Sequence, residues 1–395
     1  MKNKFWFICL LSISLSCNDE KDLAPSSSDG YIKIFTGNGS DFGEVIKTLD
    51  DGFIILGNTT YGDGSIQTKL IRLDINGNTL WTKYYGGADV DNNNLQGKSI
   101  AVLSNNEGYI VIGDRINTTT NIDSTSMYLF KVDGNGDSFT GIDITPIELS
   151  DGVNDYIGDT HGVDVFITTN NTVLTLTQMD ASVSSTEAVL ISERKIADFS
   201  IIDGCTPKFK QLTGVNLIKS LYQQPNSFVT NAGANNDGNA NVINLDNNCT
   251  GQIGASLIDN GLNGTSVANQ IIPTGNNFAI VGTINDDIYF QEVSNDGNTI
   301  RTKIYSEELN GIEEGFSICT TSDGGYLIVG CTRITSGSEN EIANEVDIVA
   351  IKIDWLGNII TTNKLDDELW IKKFGNTNEE TAVYVQQTND GGYAI

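Results

Sequence analysis

Histidine and proline are almost absent from this chain, with one and five in 395 residues. The lone histidine, His161, excludes a multi-histidine metal centre and leaves any Ser-His-Asp arrangement to the segment Asp159-Thr160-His161-Gly162. A turn role ahead of a strand is the plainer expectation for it. Positive charge is also short: 23 Lys and Arg stand against 51 Asp and Glu, a formal charge of −28. A field of that sign repels phosphate backbones and anionic headgroups, which argues against nucleic-acid binding. No sustained 3.6-residue apolar period runs through the body of the chain, which excludes long helices. In their place come 41 glycines, with Asn, Asp and Thr between short apolar runs, a composition that suits many strands joined by tight turns.

Residues 1–16 combine a basic start (Lys2, Lys4) with an apolar core from Phe5 to Leu15, too short to cross a bilayer but laid out as an export signal. The end of that core, Ser14-Leu15-Ser16-Cys17, resembles a bacterial lipoprotein cleavage site, which implies that Cys17 becomes the lipidated first residue and the membrane tether. The alternative is an ordinary signal peptide that contains a cysteine. The run Asn18-Asp19-Glu20-Lys21-Asp22 resembles the acidic surface-export tag of Bacteroidota-type lipoproteins, which implies an outer-membrane protein facing the cell exterior. Residues 17–30, with Pro25 and three serines, have too little apolar surface to fold and read as a flexible tether.

From residue 31 to 395 one phrase recurs, most legibly over Asp323–Asn376. A strand ends in a turn, a second carries an aromatic and closes on glycine, a third ends in Asp, and a fourth follows an Asn-Gly-like turn. A period of about 45–55 residues predicts a propeller or a solenoid. Six copies can be laid out, degenerate over roughly 140–260; a seventh exists as pieces, with Thr381–Thr388 and Gly392–Ile395 matching its first two strands and Tyr31–Gly37 its fourth. Terminal pieces that complement one another predict a ring closed by pairing of N- and C-terminal strands, since closure leaves no open edge. The expected fold is therefore an all-β, seven-bladed propeller of mostly four antiparallel strands, its last blade either three-stranded or completed by further chain.

The DGGY-type turns and the Lys-Leu-Asp-x-Asn-Gly-Asn-like pattern resemble repeats of bacterial secreted β-propeller lipoproteins. The resemblance implies a toroid used for binding or scaffolding and supplies no catalytic residues. Within each copy the residue types have structural duties. The a–b turns (Asp50-Asp51-Gly52, Asp323-Gly324-Gly325 and their equivalents) call for positive φ. The aromatics Phe53, Tyr109, Phe278, Tyr326 and Tyr393 are expected to pack between blades, Trp81 and Trp370 to cover the outer strand, and Gly57, Gly113, Gly233, Gly282 and Gly330 to sit where blades crowd.

Candidate chemistry is sparse. Asp133, Asn135 and Asp137 place oxygen ligands at i, i+2 and i+4, the spacing with which a loop wraps Ca²⁺. Side-chain-to-backbone turns explain the same residues without a metal, and no bidentate Glu follows. Asp74 to Trp81 lacks the offsets of a sialidase Asp box, and the arginines form no sialidase cluster. A carboxylate-pair glycosidase with its acids in the central funnel stays open, although no pair stands out. Cys205 with Cys249 and Cys319 with Cys331 are the conceivable disulfides of an oxidising compartment, but their spacing favours free thiols. The expected function is a non-catalytic, lipid-anchored binding module for a protein or glycan, with a glycan-active enzyme or a calcium-stabilised adhesion module as alternatives. The insertion Thr335–Glu345, absent from the preceding copy, is the expected partner-binding position.

Overall fold

The structure, a computed structural model, describes residues 33–35, 39–87, 93–104, 107–117, 124–144, 159–179, 186–202, 208–213, 218–223, 227–232, 241–246, 256–259, 266–294, 298–306, 309, 311–333, 346–361, 369–375 and 379–395. The signal, Cys17 and the tether, together with Cys205, Cys249, Gly233 and the Thr335–Glu345 insertion, lie outside these residues.

Strands account for almost all the regular structure, and no α-helix occurs among the described residues. The first blade is β1 (Ser40–Leu49), β2 (Gly52–Thr60), β3 (Ile66–Asp74) and β4 (Thr79–Tyr85); the second is β5 (Asn93–Val102), β6 (Tyr109–Asn117), β7 (Ser124–Val132) and β8 (Thr140–Ile144). The third is β9 (Thr160–Ile167), β10 (Thr172–Met179), β11 (Thr186–Lys195) and β12 (Lys208–Thr213), and the fourth is β13 (Ile218–Gln223), β14 (Ser227–Ala232), β15 (Asn241–Asp246) and β16 (Ser256–Asp259). The fifth is β17 (Ser266–Thr274), β18 (Asn277–Ile284), β19 (Asp287–Ser294) and β20 (Thr299–Ile304); the sixth is β21 (Ile312–Thr320), β22 (Tyr326–Arg333), β23 (Val346–Ile353) and β24 (Ile371–Phe374). Each is a four-stranded antiparallel meander, and β25 (Gln386–Gln387) with β26 (Tyr393–Ala394) makes a two-stranded seventh.

The first strands form a closed circuit: β1 touches β5, β5 touches β9, β9 touches β13, and so on through β17 and β21 to β25, which touches β1 again. This is a β-propeller. Lys33 fits the same closure. Its ammonium donates to Gly77 O and lies 3.4 Å from Asn78 Oδ1 in the first blade. On the fourth strand of the first blade, Lys83 reaches Asp137 of the second blade in the same way, at 2.7 Å. Lys33 thus occupies the fourth-strand position of the seventh blade, as the match of Tyr31–Gly37 to that strand predicts.

Burial peaks on the middle strands of each blade. The middle strands are apolar on both faces because a blade is covered on both sides by its neighbours, and Ile54, Leu56, Leu70, Val111, Val281, Ile328 and Val349 are fully buried. The outer strands β4 and β20 are largely exposed. Two large cores lie between blades: one cluster joins Leu56 and Leu70 of the first to Tyr109, Val111 and Phe130 of the second, and another joins Val281 and Phe290 of the fifth to Tyr326, Ile328 and Val349 of the sixth. Tyr109 meets Trp81 at 6.1 Å between ring centroids and Tyr326 meets Phe290 at 5.2 Å, so these aromatics pack between blades as expected. Burying each contributes roughly 1.5–3 kcal/mol. Trp81 and Trp370 pack, partly buried, against the clusters of their own blades and the next.

The a–b turns take positive φ at Gly52, Gly108, Gly275, Gly324 and Gly391. At Gly52 a Cβ would lie 2.1 Å from Leu73 O, so the turn excludes a side chain sterically as well. Two closing glycines, Gly113 and Gly282, lie against the following blade as expected, where a Cβ on Gly162 or Gly315 would meet them, but the tighter constraint is a different one. A Cβ on Gly57, Gly113, Gly282 or Gly330 would strike the first strand of its own blade, at Phe42 O, Gln96 O, Val267 O and Glu314 O, between 1.8 and 2.6 Å away. This crowding is inside the blade. Glycines on the first strands crowd the preceding blade: a Cβ on Gly97 would meet Leu56 and Thr68, and one on Gly162 would meet Gly113.

Candidate functional site

The closing glycine is needed because the first strand is bulged beside it. Register slips by one residue between Gly43 and Val45, Gly97 and Ser99, Ile218 and Ser220, Ala268 and Gln270, and Gly315 and Ser317, and Asp164 to Gly162 shows the same step. An extra residue bends a strand and re-aims its side chain. The bulged residues are Glu44, Lys98, Val163, Lys219, Asn269 and Phe316. Counting back from the Gln387–Tyr393 pair gives Val383 as the seventh-blade equivalent.

Six of these seven residues (all but Lys219, whose side chain is not described) line one cavity of about 780 Å³ at the axis, bordered further along the first strands by Lys47, Gln270, Cys319, Tyr384 and Gln386. Of the four charged residues described at its wall, three are engaged. Glu44 accepts from Asn58 Nδ2 at 3.0 Å, Asp164 accepts from Ser99 Oγ at 2.6 Å, and Lys47 donates to the Tyr384 hydroxyl at 2.7 Å. Lys98, half-buried, has no hydrogen-bond or ion-pair partner among the described residues. Amides at the wall tie blades together: Gln270 Oε1 accepts from Ile318 N at 2.7 Å, Asn269 Nδ2 donates to Gly315 O at 2.7 Å, and Gln386 Oε1 accepts from Thr48 N at 3.0 Å.

The c–d turns are built as closed Asx turns. Asp133 Oδ1 accepts from Asn135 N and Asp137 N, both at 2.9 Å, and Asp137 pairs with Lys83 at 2.7 Å. The backbone hydrogen bond from Asp137 is the main cause holding the Asp133 carboxyl below the usual range. Asp74 and Asp354 repeat the pattern, each accepting two backbone amides. Tyr85 OH donates to Gly136 O at 2.7 Å, and Tyr305 OH to Gly357 O at 2.9 Å, which locks each of these two turns to the preceding blade. Asp133, Asn135 and Asp137 are therefore brought together on one turn, and the two aspartates are engaged in closing it. Among the described residues no group of three His, Cys, Asp or Glu side chains is placed to hold a metal ion.

His161 sits inside β9 opposite Gln178 rather than in a turn before the strand. Its Nδ1 lies 3.2 Å from Asp114 Oδ2, while Asp114 Oδ1 accepts from Gly162 N at 2.9 Å, so the pair stitches the second blade to the third. Cys319 and Cys331 are free thiols, as expected. Cys319 pairs with Leu327 and Cys331 with Glu314 in the hairpin, so they are not opposite one another. Burial pushes the Cys319 thiol up to about 11, leaving it unreactive at neutral pH.

A second buried acid escaped the sequence reading. Glu313 is fully buried, with one oxygen accepting from Thr332 Oγ1 at 3.0 Å and the other without a hydrogen bond among the described residues. Burial first, then the nearby Asp287 charge, raises its pKa. Its position in an acidic Glu-Glu pair on a strand carries no sequence signal of burial.

No protein-family model matches the chain, and no curated protein matches it in sequence. Solved structures of similar arrangement include a protein of unknown function from Bacteroides caccae, 11% identical at a TM-score of 0.42, covering 74% of this chain and 88% of that one. A sialidase from Trypanosoma rangeli is 11% identical at 0.49, covering 79% and 55%, and prolyl oligopeptidase B from Galerina marginata is 9% identical at 0.46, covering 90% and 46%. This chain thus spans about half the length of the sialidase and the peptidase. At these identities and scores the propeller assignment stands on the strand ladders themselves.

Proposed function

We propose that this propeller is a non-catalytic binding module, held at the outer membrane by a lipid on Cys17 and exposed at the cell surface, with a protein or glycan partner. One observation carries the reading. The bulged position, or its equivalent in the seventh blade, faces the axial cavity and holds Glu44, Lys98, Val163, Asn269, Phe316 and Val383, while the residue before each of these six is Gly or Ala. A small residue before the bulge shapes the strand, and the residue that faces the cavity varies among acidic, basic, amide, aliphatic and aromatic side chains, which is the distribution that recognition needs. The acids at the c–d turns and most polar groups at the axis are already engaged within the fold, which favours binding over chemistry.

Two carboxylates do line the cavity, Glu44 and Asp164, and they are where a glycan-active enzyme would have its acids. Affinity capture from a detergent-solubilised cell envelope, with the tethered protein as bait, separates the readings. A reproducible partner lost on replacing bulged residues supports the module. Glycan cleavage by the purified protein that disappears in Glu44→Gln or Asp164→Asn would overturn it.

A further inference from the structure

Among the described residues, Lys98 is the charged group of the axial cavity that has no partner. Lys98 stands half-buried on the second blade with no partner among the described residues, whereas Glu44, Lys47 and Asp164 are each hydrogen-bonded. A partly desolvated ammonium is unfavourable unless an acceptor reaches it, and a charge-assisted bond is about twice as strong as a neutral one. The ring is also divided. Blades one and two contribute Glu44 and Lys98, while blades six and seven contribute Phe316 and Val383, an apolar pair.

The cavity, about 780 Å³, falls in the size range of small-molecule sites, in which an apolar wall carries the body of a ligand and a few polar groups orient it. Within the described lining the carboxylates Glu44 and Asp164 are matched in number by Lys47 and Lys98, so the local balance is neutral despite the overall charge of −28. Surface carboxylates more than about 8 Å away are largely screened at physiological ionic strength, whereas the lysine acts at contact. We infer that the axial cavity binds an amphipathic organic anion, with Lys98 on its acidic group and Phe316 and Val383 against its apolar body. This rests on the binding-module reading and supplies the ligand chemistry for the same site.

Anilinonaphthalene sulfonate is a suitable probe, and uncharged N-phenylnaphthylamine is its control. The sulfonate is expected to bind the folded protein at a single saturable site. Lys98→Gln should weaken it about tenfold, the loss of one charge-assisted bond, and leave the uncharged control unchanged. Phe316→Ala should weaken both; Phe316→Leu replaces it should the alanine variant melt lower. Absence of saturable binding, or equal loss of both probes in Lys98→Gln at an unchanged melting temperature, overturns the assignment. Probe binding without any captured envelope partner removes the module reading alone. A captured partner with no probe binding removes this site alone. A captured partner displaced by the probe means that the same acidic, apolar chemistry is presented on the partner's own chain.

Discussion

The outer seams between blades and the inner ring are built from the same repeats and behave oppositely. At the outer seam the partners recur. Tyr85 holds Gly136, Tyr305 holds Gly357, and Lys33 and Lys83 each reach the c–d turn of the blade that follows. At the inner ring one backbone device, the bulge, recurs in six blades and carries Glu, Lys, Val, Lys, Asn and Phe in turn. Repetition therefore marks what the toroid needs to close. Variation marks what it leaves available. The c–d turns, with their acids and amides, belong to the first class although their composition invites a metal.

The sharpest way to break this contrast is at a closing glycine. Gly330→Ala puts a Cβ 1.8 Å from Glu314 O, and the backbone shift it forces is expected to cost on the order of 3 kcal/mol, read as a lower denaturant midpoint. Val383→Thr, at the bulged position of the seventh blade, should change stability by no more than about 0.5 kcal/mol. Comparable losses at both sites would erase the distinction. Next in size is the seam itself: Tyr85→Phe and Tyr305→Phe each orphan a buried carbonyl and should cost about 1–2 kcal/mol, with closely similar values if the seams are equivalent.

Glu313 tests whether a buried polar group inside a blade behaves as a seam or as a liability. Its pKa is raised by burial, so the folded state holds its proton more tightly than the unfolded chain. The stability it contributes is present below the unfolded pKa and is lost as pH rises through the folded value. Glu313→Gln, which keeps an uncharged side chain of that shape, is expected to raise the melting temperature at neutral pH, with the gain shrinking on acidification. A gain independent of pH would rule out the titration. The smallest expected effect concerns the turns. Asp133 and Asp137 are engaged in closing their turn, so a chelator should leave the melting temperature unchanged within error. A fall reversed by added calcium would restore the adhesion-module alternative.

Much of this was legible in the residues. Strand alternation, glycine-bearing turns and the aromatic that follows them placed Gly52–Thr60, Tyr109–Asn117 and Tyr326–Arg333 within a few residues, because each is a local property of a hairpin. The terminal match of Tyr31–Gly37 to a fourth strand was legible for the same reason, through Lys33 at the lysine position of the repeat. His161 was misplaced because degenerate copies blur strand starts. The bulge was invisible: a Gly-x-x triplet such as Gly97-Lys98-Ser99 alternates acceptably in either register, and only pairing with the closing glycine reveals the extra residue. The role of Gly57 and Gly330 was misread for that reason too, since the carbonyl that crowds them is set by the bulge opposite.

By itself, then, the order of residues determined the class of fold, the number of blades and the turn chemistry, because period, alternation and positive-φ positions are written locally. The tertiary structure decided which side chain faces the axis, which carboxylates are engaged and which ammonium is not. Those depend on a one-residue slip between paired strands and on the blade that arrives alongside, and neither is a property of any single stretch of chain. The cavity itself, with Lys98 unpartnered among the described residues, exists only once the ring is closed.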